Sequence, residues 1–289
     1  MTLLGDGISV GRACELAGVS RAGYYREWAE HEPRQEEAAV RDAIQRVCLA
    51  HPSYGSRRVS AQLKQEGMAV NRKRVQRLMR ADNLLVLRKR RWVVTTDSRH
   101  TYAVYPNLAV GLKPAGADEL WVADITYIRL REAFVYLAVI LDGWSRRVVG
   151  WALGERLRAE LALGALEQAL AAREGIEGLI HHSDRGTQYL SIRYTERLRG
   201  AGIEVSVGSR GDAYDNALAE TVTGLYKTEL VRPGGPWRDV GAVELATLSW
   251  VDWFNNRRLL GPLEYVPPAE FEAMYDRGHG ASKLEVCVT

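Results

Sequence analysis

Cysteine is scarce and scattered. Cys14, Cys48 and Cys287 are odd in number and far apart, which argues against a disulfide framework and against a structural zinc site. Long apolar runs are missing too, since none approaches the roughly 18 to 20 residues that a membrane span needs. The N-terminus lacks a basic segment followed by an apolar one, so the expectation is a cytosolic protein. Net charge is small, with 39 Lys and Arg against 36 Asp and Glu.

What is present is asymmetric. Residues 1–116 carry 20 basic against 11 acidic side chains, and the remainder carries 19 against 25. Within 55–100 the balance is 13 to 3. A chain of 289 residues has room for two domains. A basic first half joined to a mildly acidic second half points to a polyanion-binding module attached to something else. A solvated basic surface would give the same count, but the cations fall on helical patterns rather than in a tail, which favours nucleic acid.

The first half reads as helices. Ser9 caps a helix over 10–16, Gly18 breaks it, and Ser20 caps a second over 21–28. Residues 30–37 are charged and read as a linker, and 38–50 form the next helix until His51-Pro52-Ser53-Tyr54-Gly55 interrupts it. Ser56 opens a helix carrying Arg57 and Arg58. Asn71 then caps a third over 72–80, with Val75, Leu78 and Met79 facing inward and Arg72, Lys73, Arg74, Arg77 and Arg80 outward. Such a helix after a glycine turn suits a reader of a DNA groove or phosphates. Arg88, Lys89, Arg90 and Arg91, followed by Trp92, suit phosphate contact without sequence reading. The expected units are a helical segment over 1–37, a basic helix-turn-helix domain over 38–95 and a linker over 96–117.

The second half changes period. Strands are expected over 120–130, 134–141 and 147–153, joined by short turns as an antiparallel meander. A helix over 159–173, a strand over 179–184, a helix over 192–200 and a strand over 204–207 follow. A long helix over 213–230, another over 240–255 and a short last one from about 265 complete the pattern. The fold class is α/β, a mixed five-stranded sheet with flanking helices over 118–275, preceded by the all-α module and followed by a tail over 276–289.

Three acids sit where acids are uncommon. Asp124 lies inside the apolar run Trp121-Val122-Ala123-Asp124-Ile125, Asp184 ends a strand, and Glu220 is on the long helix. Asn216, Glu220 and Lys227 share one face of that helix, so its apolar side can be buried while Glu220 aims at the aspartates. Carboxylates brought together repel one another unless a cation neutralises them. Oxygen-only ligands select a hard ion, Mg²⁺ or Mn²⁺. Two such ions roughly 3.5–4 Å apart suit phosphodiester chemistry. Each acid has a plainer reading taken alone: a turn cap or a partner for Arg129, a helix cap before Gly186, a surface residue. Their conjunction shifts the balance. His181, His182, Ser183 and Asp184 imitate a hydrolase triad, but adjacent strand residues face opposite ways and cannot form the relay. Asp142, at a turn, and Asp215, at a helix start, are the nearest rivals for the third acid, in positions where acids commonly cap.

Trp121-Val122-Ala123-Asp124-Ile125-Thr126-Tyr127, His182-Ser183-Asp184-Arg185-Gly186-Thr187-Gln188-Tyr189 and Gly211-Asp212-Ala213-Tyr214-Asp215-Asn216-Ala217-Leu218-Ala219-Glu220 resemble the OrfB transposases of the IS-three family of bacterial insertion sequences. That family belongs to the DDE superfamily, which includes retroviral integrases. The 35 residues between Asp184 and Glu220 match the family spacing, and Lys227 matches its basic position. His51 to Arg58, Asn255 to Arg258 and Pro267 to Phe271 match flanking family motifs, so the resemblance covers nearly the whole chain. Leu259-Leu260-Gly261 stands where family members often carry a His-Ser pair, and no role is assigned to that loop.

The resemblance implies an RNase H-like core with Asp124, Asp184 and Glu220 as catalytic metal ligands for two Mg²⁺ or Mn²⁺ ions. It implies nicking of a transposon end, followed by attack of the freed 3′-hydroxyl on a second phosphodiester. Lys227 would contact DNA near the cleaved end, with Asn216 positioning it. The implied partners are double-stranded DNA at the transposon ends and target, other copies of the chain on that DNA, and the product of an upstream frame, OrfA. The implied location is the bacterial cytoplasm at the nucleoid. Two other readings stay open: a transposase-derived DNA-binding protein without activity, and a nuclease of the same fold that hydrolyses without joining.

Overall fold

Helix caps and apolar periodicity lay out the first half as the sequence suggests, except that the third helix begins at Gln35, inside the charged stretch expected as a linker over 30–37. The computed structural model describes residues 9–27, 35–86, 105–184, 186–208 and 217–286. Helix α1 (Val10–Ala17) starts at Ser9, whose hydroxyl accepts from the Arg12 amide at 3.3 Å, and ends at Gly18 with φ +66°. That left-handed conformation favours a residue without a Cβ. The Ser20 hydroxyl accepts from the Gly23 amide at 3.0 Å and opens α2 (Arg21–Glu27).

Helices α3 (Gln35–Ala50), α4 (Ser56–Gln65) and α5 (Arg72–Ala81) enclose a separate core. Ile44, Val47, Val59, Leu63, Val75, Leu78 and Met79 fill it. Asn71 caps α5, accepting from the Lys73 amide at 2.8 Å. The inward and outward faces of α5 fall as the 3.6-residue period requires.

The second half is one mixed sheet. Strands β1 (Leu120–Arg129), β2 (Phe134–Asp142), β3 (Val148–Gly154), β4 (Ile180–Ser183) and β5 (Glu204–Val207) lie in the order β3-β2-β1-β4-β5. The first three are antiparallel, and β4 and β5 run parallel to β1. Side-chain alternation divides β1 and β2 between two cores. Trp121, Ala123, Ala138 and Ile140 face α6 (Ala159–Ala172) and α7 (Ile192–Gly200). Val122, Val139 and Leu141 face α8 (Ala217–Tyr226) and the Trp250 and Phe254 side of α10 (Val240–Asn256).

Three expectations change. The long helix does not stop near 230. Past Tyr226 it widens into a π segment, Lys227–Val231, then tightens into α9 (Arg232–Gly234). The last helix is not short: α11 (Pro268–Val286) runs 19 residues, so most of the expected tail over 276–289 is helical. The described part of the linker is pinned to the sheet edge. Pro106 O accepts from the Val207 amide at 3.2 Å, and the Leu108 amide donates to Ser206 Oγ at 2.9 Å. Among the described residues, no helix is long and apolar enough to cross a membrane.

Candidate active site

Strand register places the two aspartates. In the parallel pair, Leu120 faces Ile180 and the pairing steps to Ala123 opposite Ser183. One further step sets Asp124 beside Asp184, immediately past the end of β4, on neighbouring strands about 4.8 Å apart. Val122 and Asp124 point to the same face, towards α8, so the carboxylate emerges where the apolar core gives way to solvent. Asp124 is half-buried. Burial first, and then the charge of Asp184, push its carboxyl up to about 7. The Thr223 hydroxyl and the Ile125 amide act the other way by hydrogen bonding to it, and Glu220 adds a smaller repulsion.

Asp184 is held from behind. The Gly186 amide donates to its Oδ1 at 2.9 Å, and a Cβ on Gly186 would sit 2.9 Å from that same oxygen. Ser183 Oγ donates to the Asp184 backbone oxygen at 3.1 Å. The acid therefore rests on a turn that only glycine fits without displacing it.

Glu220 lies in the first turn of α8, exposed at the rim. The Thr223 hydroxyl donates to the Glu220 carbonyl oxygen at 3.1 Å, on the side of α8 that faces Asp124. Among the described residues, no group of three or more His, Cys, Asp or Glu side chains is gathered closely enough to hold a metal ion. The structure thus brings Asp124 and Asp184 together and sets Glu220 on the adjoining helix, outside their immediate contact.

Lys227 opens the π segment. Its Nζ stands 4.6 Å from the Tyr127 ring centroid, a cation–π distance. Burial lowers its pKa, and Asp124 opposes that shift, so the ammonium and the acid sense one another. Lys227 therefore reaches the same end of β1 from the helical side.

The histidines do other work. His181 is buried with its Nε2 2.9 Å from the Tyr194 hydroxyl, and burial drives its pKa down to about 3, leaving it neutral. His182 sets Nδ1 2.9 Å from Ser206 Oγ on β5. Neither ring bonds Ser183, so no relay forms. Asp142, the last residue of β2, is fully buried and accepts from the Asp118, Trp144 and Ser145 amides and from the Ser145 hydroxyl, at 2.7–3.1 Å. It fixes a turn. Asp215 and Asn216 lie outside the described residues.

Of the basic residues read as DNA contacts, Arg57 on α4 and Arg72, Lys73 and Arg74 on α5 are exposed. Arg58 is half-buried over the Tyr54 ring at 5.6 Å. Arg77 is exposed but paired with Glu37 at 3.0 Å, so part of its charge is already answered. Arg88, Lys89, Arg90 and Arg91 lie outside the described residues. Sequence reasoning passed over Thr223, which carried no signal beyond its place on the helix. It named Arg258 only within the motif Asn255 to Arg258, although the chain buries it completely.

Similarity to known proteins falls on these same regions. An integrase core domain matches residues 114–213, a second integrase core domain matches 201–268, and an HTH-like domain matches 34–92. The chain is 41% identical over 283 residues to the transposase for insertion sequence element IS629 of Shigella sonnei, covering 95% of each. It is 43% identical over 261 residues to the putative transposase for insertion sequence element IS986/IS6110 of Mycobacterium tuberculosis (strain ATCC 25618 / H37Rv), covering 87% of this chain and 94% of that one. To transposase InsF for insertion sequence IS3A of Escherichia coli (strain K12) it is 32% identical over 230 residues, covering 77% and 80%. Among solved structures, the HTLV-2 integrase catalytic core domain in complex with magnesium matches with TM-score 0.44 at 17% identity, over 55% of this chain and 99% of that one.

Proposed function

Because this chain belongs to the IS-three family of insertion-sequence transposases, enzymes with an integrase catalytic core and a helix-turn-helix domain, we propose that Asp124, Asp184 and Glu220 form the site that cleaves and joins DNA strands. The observation that carries this reading is the register that sets Asp124 beside Asp184 past the end of β4.

The donor set fits a hard divalent cation. All three candidates offer carboxylate oxygens, and burial together with the Asp184 charge raises the Asp124 pKa, a penalty that a bound cation would relieve. Asp124, Asp184 and Glu220 would hold Mg²⁺ or Mn²⁺, two ions per site, supplying Lewis-acid stabilisation of the attacking and leaving oxygens. Asp124 and Asp184 present their oxygens from rigid backbone, on the strand end and on the Gly186 turn. Glu220 approaches from α8 and closes the open side. Lys227 offers a positive charge to the phosphate next to the scissile one.

In the first step, water adds to the phosphorus at a transposon end. The phosphorus–oxygen bond to the 3′ oxygen breaks, and a proton leaves the water and another reaches the departing 3′ oxygen. In the second, that 3′-hydroxyl attacks a target phosphodiester, one strand is joined, and the displaced target oxygen takes up the proton. The helix-turn-helix module binds double-stranded DNA through α4 and α5 while the acid site works on its end. Two ends and a target must meet, so several copies act together on DNA in the bacterial cytoplasm, alone or with the upstream-frame product.

Supercoiled target DNA and labelled duplexes bearing the element's own ends, with Mn²⁺ or Mg²⁺, test the reading. Joined products are expected. Hydrolysis without joining would leave a nuclease, and binding without either reaction would leave a DNA-binding protein.

A further inference from the structure

One surface beside the acid site has no role so far. Beyond Ser183, β1 has no β4 partner, and that edge stays unpaired past Tyr127 until Leu130 bridges Trp237. Tyr127 and Phe134 lie there 41% and 49% exposed, with ring centroids 5.9 Å apart and edge to face. Each ring leaves a face open to a flat aromatic ligand. Lys227 caps the Tyr127 ring from one side. On the other side, Arg129 and Arg131 border a cavity of about 470 Å³ closed by Val231, Pro236 and Trp237. Trp237 is anchored there: its indole donates to Val231 O at 3.2 Å, and its carbonyl accepts from the Arg131 amide at 3.1 Å. Among the described residues, neither arginine side chain takes part in a salt bridge.

We propose that this edge is a binding groove for a single DNA strand leading away from the acid site. Tyr127 and Phe134 stack an unpaired base, and Arg129 and Arg131 hold the backbone that follows. The chemistry selects this occupant. Aromatic faces accept any base, cations spaced along the same track accept phosphates, and together they are the recurrent means of holding a single strand without reading its sequence. The scale fits as well. Tyr127 and Arg129, the last residue of β1, are three and five residues beyond Asp124, about 10 and 17 Å along the strand, and they point to the opposite face of the sheet, so the single strand crosses the edge of β1 beside Lys227. At about 3.4 Å per stacked nucleotide, that length takes roughly five nucleotides. The inference rests on the transposase reading and deepens it: the groove would grip the strand separated from its complement near the cleaved end.

The test measures binding rather than reaction, so it stands or falls apart from catalysis. Full-length protein without divalent metal would be titrated with a labelled duplex that is blunt, or that carries an eight-nucleotide single-stranded 3′ extension. The parent is expected to bind the extended duplex roughly fivefold or more tightly, the size of one stacked base. Tyr127→Ala with Phe134→Ala should abolish that preference while blunt-duplex affinity stays within about twofold, and Tyr127→Trp should keep it, since any aromatic face can stack. Arg129→Gln with Arg131→Gln should weaken binding of the extended duplex and lower its salt dependence. Equal affinity of the parent for both duplexes would overturn the proposal. So would a preference that survives loss of both rings. A change in sedimentation of the double-alanine variant, with its preference intact, would assign the surface to contact between copies instead. Loss of strand joining with the preference retained would overturn the catalytic reading and leave the groove standing.

Discussion

Arg258 and Glu229 form a two-pronged ion pair almost out of reach of solvent. Arg258 Nη2 donates to Glu229 Oε1 at 2.6 Å and Nε to Oε2 at 3.0 Å, with the two side chains 0% and 5% exposed. The pair joins three parts of the chain. Glu229 belongs to the π segment that begins at Lys227, and Arg258 follows α10. Ser53, from the turn between α3 and α4, donates to Glu229 Oε1 at 3.2 Å. Beside them the Leu259 amide donates to the Tyr54 hydroxyl at 3.0 Å, and Leu259 is buried in the core of the helix-turn-helix domain. The DNA-binding module and the wall of the candidate active site therefore share one buried charge pair.

Removing one half should be costly. Arg258→Ala leaves Glu229 charged in an apolar pocket, and a loss of about 3–5 kcal/mol is expected, read as a lower urea midpoint. Arg258→Met with Glu229→Leu should recover most of that loss, because the charges vanish together. If Arg258→Ala melts like the parent, the pair contributes nothing.

Asp124 sets a pH dependence in the metal-free protein. Its carboxyl is raised from 3.8 to about 7 in the folded chain, so the unfolded state releases this proton first as pH rises. The stability tied to Asp124 is complete below pH 4 and is lost as pH rises through 7. The upper bound is roughly 4 kcal/mol, from about three pH units at about 1.4 kcal/mol each, and partial exposure reduces it. Asp124→Asn should therefore raise Tm at pH 8 but not at pH 4.5. Added Mn²⁺ should protect the parent more at pH 8 than at pH 5, because the ion binds the ionised acids. A Tm difference between Asp124→Asn and parent that is the same at both pH values would remove this argument.

Gly186→Ala probes the support behind Asp184. Its methyl group would press on Asp184 Oδ1 at 2.9 Å, shifting the carboxylate without opening a core. End cleavage should fall roughly 10²-fold, the effect of about 1 Å of misplacement, with Tm nearly unchanged. Parent-like cleavage would mean that the turn does not position the acid.

Most of the frame was legible because the periods are clean. Alternation in Trp121 to Ile128 and the unbroken apolar run Val135 to Leu141 announce strands, and Ser9, Gly18, Ser20 and Asn71 announce helix ends. Asp124 stands out inside an apolar run and Asp184 at a strand end, and the parallel register explains why they meet. The π segment left no mark, since an extra residue in a turn changes hydrogen bonding rather than composition. The burial of Arg258 left no local mark either, because it depends on Glu229, 29 residues earlier. Tyr127 and Phe134 read as ordinary strand residues. Tyr127 lies past the end of β4 at Ser183 and Phe134 past the end of β3 at Gly154, lengths that no local pattern sets.

The face of α5 gives a prediction on DNA affinity. Replacing Arg72, Lys73 and Arg74 with Ala should weaken binding to any duplex and lower the salt slope by about 2 to 3, at roughly 0.9 for each lost phosphate contact. Thermal stability should hold, since all three are exposed. An unchanged slope would place the DNA on another face.

Three acids, on a strand end, a glycine turn and a helix, are expected to act as one site. Single-turnover cleavage of an end duplex in Mn²⁺ tests it most directly, comparing the parent with Asp124→Asn, Asp184→Asn and Glu220→Gln, and with Glu160→Gln as an exposed-acid control on α6. A loss of roughly 10³-fold or more is expected in each of the three, for groups that act as a unit, with a parent-like rate in the control. Cleavage retained by Glu220→Gln, the acid that stands at the rim, would contradict it.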